Sequence, residues 1–333
     1  MKRREVIKLG GLALSSLALP FPLSAFTKYN RMTDKKDFEV IIIGGSYAGL
    51  SSAMALGRSL RSILIIDSGL PCNRQTPHSH NFITQDGKAP KEISKLAIQQ
   101  VQKYETVKFY NGLAISGTKT ASGFEITTET NDKFTAKKLI FATGIKDIMP
   151  DIKGFAECWG ISIIHCPYCH GYEFRKQNTG IIANGAKAFH LASLVNNLTD
   201  NITILTTGKA DFNSEQLDKL NKHNIKIIET KISEFEHKNG HLQNVVFADS
   251  TKISFDAAYA AIPFIQHSDI PVSLGCELTE HGYIKVDDFQ KTTIQGVYAC
   301  GDNSNMMRSI ANAVHSGNLT GAVANGELTN EQF

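Results

Sequence analysis

Residues 38–67 read FEVIIIGGSYAGLSSAMALGRSLRSILIID and decide the fold. An isoleucine-rich run at 38–43 breaks into a glycine turn at 44–49, and a helix of small residues follows to about Leu60. A second apolar run ends at Asp67, roughly 20 residues after the turn, where a dinucleotide-binding fold places the acid that holds a ribose hydroxyl. The stretch therefore predicts a complete βαβ unit.

The turn after the first strand is predicted to hold the pyrophosphate of a dinucleotide. Glycines in the G-x-G-x-x-G pattern let the backbone approach the phosphates at the N-terminus of the following helix. Serine occupies the middle glycine position here, and it is small enough for that approach. The candidate binding residues of this turn are Gly44, Gly45, Ser46, Ala48 and Gly49.

A second βαβ unit begins with a strand at 180–183 and has Gly185 in its turn, a helix over 188–198 and a further strand over 202–205. Its turn keeps one glycine of the pattern. The strand after it ends without an acid, and no arginine cluster follows that could bind a 2′-phosphate. Two interpretations stay open: a working NAD(P)H site, and a structural βαβ unit that binds nicotinamide poorly or not at all.

The remaining segments complete a two-domain organisation. Short Thr-rich runs and turn signals over 105–138 predict a small antiparallel sheet inserted before a buried strand at 139–142. A strand pair is predicted within 235–255, a buried strand at 257–262, and a final helix over 309–328. The chain is thus predicted to be an α/β protein with two Rossmann-like domains, the second inserted into the first. The predicted boundaries are 37–150 with 263–333 for the first domain and 151–262 for the second.

The first residues, 1–26, are predicted to form an export leader. Arg3 and Arg4, followed by two apolar residues and Lys8, resemble the twin-arginine signal, and an apolar stretch follows to about Ala25. Export to the periplasm is expected; the alternatives are a cytoplasmic protein and a membrane anchor. About 17 apolar residues with two prolines fall short of the roughly 20 that span a bilayer, so stable membrane association is not expected.

Charge excludes two classes of partner. Outside the leader, acidic and basic residues are equal in number, and no basic run is present. A body without a basic patch lacks the electrostatic attraction that nucleic acids and acidic membranes require. Neither is therefore expected as a partner.

The sharpest chemical feature is the stretch HCPYCH at 165–170. Two thiols at C-x-x-C spacing can close a disulfide, and the first can become a low-pKa thiolate beside histidine. A redox dithiol of Cys166 and Cys169 is therefore one interpretation. Zinc is set aside because the chain has no second C-x-x-C. The third interpretation is a c-type haem attached through Cys166, Cys169 and His170, which would make the chain an electron-transfer protein.

The four other cysteines and two histidines of a polar loop carry no predicted chemistry. Four scattered cysteines lack a pairing pattern, and a buried, inert thiol is expected for each: Cys72, Cys158, Cys276 and Cys300. His78 and His80 lie in a polar loop without a third ligand and are interpreted as loop polarity. No metal site is predicted.

Over about residues 37–330, the chain resembles the low-molecular-weight thioredoxin reductases. The features that carry the resemblance are the first turn with Asp67, the strand end at 142–144, the C-x-x-C midway and the stretch 296–302. The resemblance implies a homodimeric, FAD-dependent thiol–disulfide oxidoreductase that acts on a protein or small-molecule disulfide or dithiol. FAD would lie in the first domain, and the NAD(P)-binding-like domain would carry the C-x-x-C. Further flavin contacts are implied for Gln75, Thr143, Gly144, Gly301 and Asp302.

The resemblance also assigns roles around the dithiol. Cys169 would exchange electrons with the flavin, and Cys166 would attack the substrate disulfide. His170 stands where the family has a proton-transferring aspartate, and histidine can perform general acid–base work near neutral pH. With its degraded second turn, the chain resembles a divergent branch that includes fungal dithiol oxidases, which close the disulfide of gliotoxin-like metabolites and return electrons to oxygen. Two functions stay open: an NAD(P)H-dependent reductase and an oxygen-dependent dithiol oxidase.

Overall fold

The computed structural model describes residues 36–333. The predicted leader at 1–26 lies outside the described residues and stays a prediction. Within the described part, no helix is both long and apolar enough to cross a bilayer.

Strands and helices alternate along most of the chain. In order they are β1 (Asp37–Ile43), α1 (Tyr47–Arg58), β2 (Ile63–Asp67), α2 (Pro90–Val101), β3 (Val107–Asn111), β4 (Ala114–Thr120), β5 (Gly123–Thr128), β6 (Lys133–Phe141), β7 (Ile145–Asp147), α3 (Phe155–Cys158), β8 (Ile163–Ile164), α4 (Pro167–His170), β9 (Thr179–Ile182), α5 (Gly185–Val195), β10 (Ile202–Leu205), α6 (Ser214–Lys222), β11 (Lys226–Ile228), β12 (Ile232–Lys238), β13 (His241–Phe247), β14 (Lys252–Ser254), β15 (Ala257–Ala260), β16 (Phe264–Gln266), α7 (Ile270–Ser273), β17 (Val297–Ala299) and α8 (Ile310–Gln332).

The first sheet has the strand order β3-β2-β1-β6-β5-β4, with β17 paired to β6. Strand β1 runs parallel to β2 and β6, and Val40, Ile41 and Ile42 on it are fully buried, as expected where helices or loops cover both faces of a parallel sheet. The antiparallel strands predicted over 105–138 do not form a separate sheet. Strand β6 pairs antiparallel with β5 through residues 133–136 on one edge and parallel with β1 through residues 135–141 on the other, so one sheet contains both arrangements.

Helices α1 and α8 pack together at backbone distance beside the first sheet. Gly317 permits this contact, because a Cβ on it would lie 2.1 Å from the carbonyl oxygen of Ala48. The Ser52 hydroxyl donates to the Gly317 carbonyl at 2.8 Å, which ties the two helices further. Helix α8 begins where expected, since the Ser309 side chain caps it by accepting from the Asn312 N–H.

The second sheet is entirely parallel, in the order β11-β10-β9-β15-β8. Helix α5 connects β9 to β10, as the second βαβ unit predicts. It begins at Gly185, three residues earlier than expected, because the Asn184 side chain caps it. The strand pair expected within 235–255 is a three-stranded antiparallel meander, β12-β13-β14. Each sheet thus presents the carboxyl ends of its parallel strands, the edge where open α/β sheets bind ligands.

Candidate functional site

The turn after β1 has the geometry of a phosphate cradle. Gly44 has a φ of +105°, and a Cβ on it would lie 2.2 Å from the carbonyl oxygen of Ala142. A Cβ on Gly49 would lie 1.9 Å from the Gly44 carbonyl oxygen. The Gly45 N–H donates to Asp67 Oδ1 at 2.9 Å, which fixes the carboxylate at the end of β2 beside the turn. Only glycine fits at positions 44 and 49, and the sequence has glycine at both.

The N-terminus of α1 is open to an anion. Its N-cap, Ser46, has an extended backbone and makes no side-chain capping bond, and the first turn of the helix contains no acidic residue. Uncapped N–H groups at a helix N-terminus are donors for a phosphate. Ala48 lies against the next part of the cradle, because a Cβ on Gly301 would lie 3.0 Å from the Ala48 Cβ. These residues fit the pyrophosphate of a dinucleotide.

Most of the other predicted flavin contacts surround the same cradle. The Thr143 hydroxyl accepts from Asn303 Nδ2 at 3.2 Å, which joins the end of β6 to the loop after β17. Gly144 has a φ of +64° and faces open space. Gln75 is exposed and donates to the Ala156 carbonyl at 3.4 Å, so its amide is engaged with the segment that carries α3. The residues around 44–49, 143–144 and 301–302 fit FAD, and the flavin contact expected of Gln75 stays a prediction.

Asp302 is largely but not fully buried, in a charged cluster beside the cradle. Burial raises the pKa of its carboxyl to about 6. Arg308 binds Asp147 through both guanidinium nitrogens, at 2.8 and 2.9 Å, and its Nε lies 3.9 Å from Asp302 Oδ2. Cys72 is exposed as a residue, yet its sulfur faces Asp302 at 3.9 Å, and burial of the thiol raises its pKa to about 11. A thiol with so high a pKa is inert at neutral pH.

The dithiol lies against this cluster. Cys166 is the N-cap of α4, and its carbonyl accepts from the N–H groups of Cys169 and His170. The sulfur of Cys169 lies 3.9 Å from the carbonyl oxygen of Arg308. Tertiary structure therefore brings Cys169, the residue expected to exchange electrons with the flavin, to the loop that contains Gly301 and Asp302.

The two thiols differ in acidity. A hydrogen bond from the Cys169 side chain, helped by backbone N–H groups at the start of α4, lowers the pKa of Cys166 to about 7. The same contact, together with burial, raises the pKa of Cys169. The lowered pKa favours Cys166 over Cys169 as the thiolate of the reduced pair, and the thiolate is the nucleophilic form of a cysteine.

His170 is a neutral base with a partner that sequence reasoning missed. Burial and the neighbouring His80 lower the pKa of His170, so the imidazole is free to accept a proton at neutral pH. The rings of His80 and His170 meet edge to face, with centroids 6.1 Å apart. His80 Nδ1 lies 3.5 Å from a carboxylate oxygen of Glu173 and 3.7 Å from one of Asp86. No sequence signal pairs residues 80 and 170, so His80 was interpreted as loop polarity.

The second turn is closed. The Asn184 side-chain oxygen accepts from the N–H groups of Gly185, at 2.8 Å, and Asp211, at 2.9 Å, while its amide donates to the Lys209 carbonyl at 2.8 Å. Gly185 has a φ of +57°, and a Cβ on it would lie 3.1 Å from the Asp211 carbonyl oxygen and 3.5 Å from an Asp211 carboxylate oxygen. The Asn184 side chain and the Asp211 loop thus lie against the start of α5, with the Asp211 carboxylate close to Gly185. Negative charge there repels a pyrophosphate.

Several known proteins are similar to this chain in sequence and in fold. Residues 38–317 match the model of the pyridine nucleotide-disulphide oxidoreductase family. Thioredoxin reductase tcpT of Claviceps purpurea is 33% identical over 308 residues, which cover 89% of this chain and 96% of that protein. Thioredoxin reductase sirT of Leptosphaeria maculans is 30% identical over 314 residues, or 86% and 93% of the two chains.

A solved structure shows the same architecture. The oxidoreductase from Agrobacterium tumefaciens superposes with a TM-score of 0.82 at 35% sequence identity, covering 88% of this chain and 99% of that one. The cradle fits the FAD that this family uses. The family match also favours a redox dithiol over a haem attachment at the C-x-x-C. This chain belongs to the pyridine nucleotide-disulphide oxidoreductase family and is an FAD-dependent enzyme of the thioredoxin reductase type.

Proposed function

We propose that the protein is a dithiol oxidase that closes the disulfide of a substrate dithiol and does not use NAD(P)H. The observation that carries the proposal is the closed second turn, where Asn184 caps α5 and the Asp211 carboxylate lies beside Gly185. The substrate dithiol loses two electrons and two protons, and oxygen takes up both to give hydrogen peroxide. FAD bound in the first cradle would carry the electron pair from the enzyme dithiol to oxygen.

The chain's own residues account for the thiol chemistry. A substrate thiolate attacks the sulfur of Cys166 in the enzyme disulfide, and Cys169 leaves. The second substrate thiolate then attacks the substrate sulfur of this mixed disulfide, and Cys166 leaves as a thiolate. A leaving thiol with a pKa of about 7 departs readily, which suits Cys166 to this step. Cys169, which faces the Arg308 carbonyl, is the thiol placed toward the cradle.

His170 supplies the proton acceptor for this cycle. It follows Cys169 directly in the chain and ends α4. Because its pKa is lowered by burial, the imidazole is neutral at pH 7 and can take a proton from a thiol of the reduced pair. Re-forming the Cys166–Cys169 disulfide then releases two electrons and returns the enzyme to its starting state.

The second candidate is a reductase that takes electrons from NAD(P)H to a disulfide. The intact β9–α5–β10 unit favours it, as do the names of the two fungal relatives, both called thioredoxin reductases. Use of the second site would require the loop over 206–213 to move away from the N-terminus of α5. Export through the leader and assembly into a homodimer belong to both candidates and rest on the sequence.

Anaerobic reduction of the purified flavoprotein separates the two candidates. NADPH, NADH and dithiothreitol are mixed separately with the enzyme, and the flavin absorbance is followed. We expect bleaching by dithiothreitol alone, and recovery with formation of peroxide when air is admitted. Fast bleaching by either nicotinamide nucleotide would refute the oxidase and establish the reductase. A haem Soret band in the untreated protein would overturn both.

Two cysteine variants test the electron path. Cys166→Ser and Cys169→Ser should each abolish the bleaching by dithiothreitol. Cys276→Ser is the matched control. This thiol lies in the hydrophobic core against the first sheet, where it donates to the Thr292 hydroxyl, and it takes no part in the proposed electron path. Survival of turnover in both dithiol variants would contradict the mechanism.

A further inference from the structure

A cluster of two imidazoles and two carboxylates lies beside the dithiol. The loop between β2 and α2 supplies His80 and Asp86, whereas His170 ends α4 and Glu173 follows it three positions later. The rings of His80 and His170 meet edge to face, with centroids 6.1 Å apart. The proton acceptor of the proposed cycle therefore has a second titratable ring next to it.

The loop between β2 and α2 holds His80 in place. The Ser79 N–H donates to the Lys88 carbonyl at 2.8 Å, and the Gly87 N–H donates back to the Ser79 carbonyl at 2.9 Å, so the two sides of the loop pair as in a hairpin. Ser79 itself is buried. The residue that precedes His80 is thus anchored, and the His80 side chain, 19% exposed, lies against His170.

Two carboxylates orient the His80 ring. Its Nδ1 lies 3.5 Å from Glu173 Oε1 and 3.7 Å from Asp86 Oδ2. Asp86 is itself fixed, because its Oδ1 accepts from the Asn81 N–H at 2.7 Å while Oδ2 faces the imidazole. A carboxylate beside one ring nitrogen keeps the proton of a neutral imidazole on that nitrogen and leaves the other nitrogen as a base. The same carboxylates stabilise the ring once it is protonated.

His170 accepts the thiol proton but holds it weakly. Burial and the neighbouring His80 lower the pKa of its imidazole. Within the described residues 36–333, His170 forms no ion pair with a carboxylate, whereas His80 faces two. Positive charge is therefore better stabilised on His80 than on His170.

Exposure to solvent increases outward along the cluster. Cys169 and His170 are half-buried, whereas the side chains of Glu173 and Asp86 are 38% and 66% exposed. Water thus reaches the carboxylates at the outer side of His80. Rotation of an imidazole about its soft χ2 torsion, or one bridging water, spans the gap between two rings in edge contact. The cluster connects the dithiol to solvent.

We propose that His80 takes the thiol proton from His170 and passes it to solvent. When the enzyme disulfide re-forms, the Cys169 S–H bond breaks, the Cys166 thiolate bonds to the Cys169 sulfur, two electrons pass to the flavin and one proton goes to His170. His170 then gives this proton to His80, which returns it to water beside the two carboxylates. The inference rests on the role of His170 in the proposed function; in a reductase the same relay carries a proton inward.

Imidazole rescue of the holoenzyme tests the relay. His80→Ala should lower kcat at least about tenfold, a part of the roughly 100-fold that a positioned acid–base group contributes. Free imidazole can enter the space that the side chain leaves and accept the proton. It should therefore raise the kcat of this variant in proportion to its concentration and leave the parent enzyme unchanged. Turnover is measured with dithiothreitol and air, or with NADPH and a disulfide if anaerobic reduction identifies a reductase.

A variant without the carboxylates separates proton transfer from ring packing. Asp86→Asn combined with Glu173→Gln keeps the His80 ring but removes the groups that stabilise its charge. Both side chains are partly exposed, so the double variant should fold normally. It should lower kcat about threefold, the factor that a half-exposed ion pair contributes. An unchanged kcat in this variant, or a loss in His80→Ala that imidazole does not reverse, would show a packing role only and overturn the relay.

Two further variants complete the test. His78→Ala is the matched control, because His78 lies in the same loop, is exposed, and has its ring 6.5 Å from that of His80 and hydrogen-bonded to the Gly87 carbonyl at 3.0 Å. It should keep the parent kcat and show no dependence on imidazole. His170→Gln separates the relay from the proposed function. If His170→Gln is slow and His80→Ala is not, the relay alone is wrong; if neither is slow, His170 is not the proton acceptor and both are wrong.

Discussion

The Cys169 side chain controls the acidity of Cys166, so removing it should raise the pKa of Cys166 above about 7. Cys169→Ala deletes the thiol that stabilises the Cys166 thiolate. Cys169→Ser keeps a hydroxyl donor at the same position and serves as the matched control. The backbone N–H groups that also stabilise the thiolate are unchanged in both variants.

The expected rate difference follows from the thiolate fraction. At pH 7, a thiol with a pKa of about 7 is half ionised, whereas one at the ordinary value of 9.0 is about 1% ionised, a difference of roughly 50-fold. Intrinsic nucleophilicity falls with pKa, and a Brønsted coefficient near 0.45 over two pKa units reduces the advantage about eightfold. Cys169→Ala should therefore react more slowly than Cys169→Ser at pH 7, by up to about sixfold.

Alkylation measures this difference directly. Each variant is treated with iodoacetamide between pH 5 and pH 10, and modification of Cys166 is followed by peptide mass spectrometry. Peptide mass spectrometry separates Cys166 from the other thiols, whose reaction near pH 7 is suppressed because burial raises the pKa values of Cys72, Cys158 and Cys300 to about 11 and also raises that of Cys276. A midpoint near pH 7 in both variants would refute the hydrogen bond as the cause. Preferential modification of Cys169 in the reduced parent enzyme would reverse the assigned roles.

Three further predictions concern stability. Asp147→Asn leaves the Arg308 guanidinium without its bidentate partner and should lower the free energy of unfolding by about 3 kcal/mol in urea titrations. An unchanged free energy of unfolding would show that this ion pair contributes no net stability. Burial raises the pKa of Asp302 to about 6 in the fold, so in the FAD-free protein the contribution of this carboxyl to stability should be greatest below about pH 4 and should fall by up to about 3 kcal/mol as the pH rises through 6. Asp302→Asn should remove this loss, and thermal melts across that pH range would check it. Gly317→Ala places a Cβ 2.1 Å from a carbonyl of α1 and should destabilise by about 1–3 kcal/mol. Gly326→Ala, on the same helix with open space around it, should instead stabilise slightly, and equal effects of the two changes would contradict the packing.

Local patterns predicted much of the fold because they depend on neighbouring residues. The run at 38–43, the glycines at 44 and 49 and the acid at 67 define a βαβ unit by spacing alone. The structure has this unit, with a Cβ excluded at both glycines. The antiparallel pairing predicted within 105–138 is confirmed for β4, β5 and β6, but the prediction of a separate small sheet is wrong. Whether an antiparallel segment joins an existing sheet depends on the path of β6 between its neighbours, which no local pattern encodes.

The sequence by itself determined the chemistry available to this protein: a dinucleotide cradle, a C-x-x-C followed by histidine, and a second βαβ unit with an incomplete turn. These features are short and contiguous, so residue type and spacing reveal them. Only the tertiary structure decided which groups meet. It brought Cys169 to Arg308, His80 to His170, and Asp211 to the turn at Gly185. Such contacts join residues far apart in the chain, and they are set by how the sheets and loops pack, which a single sequence does not specify.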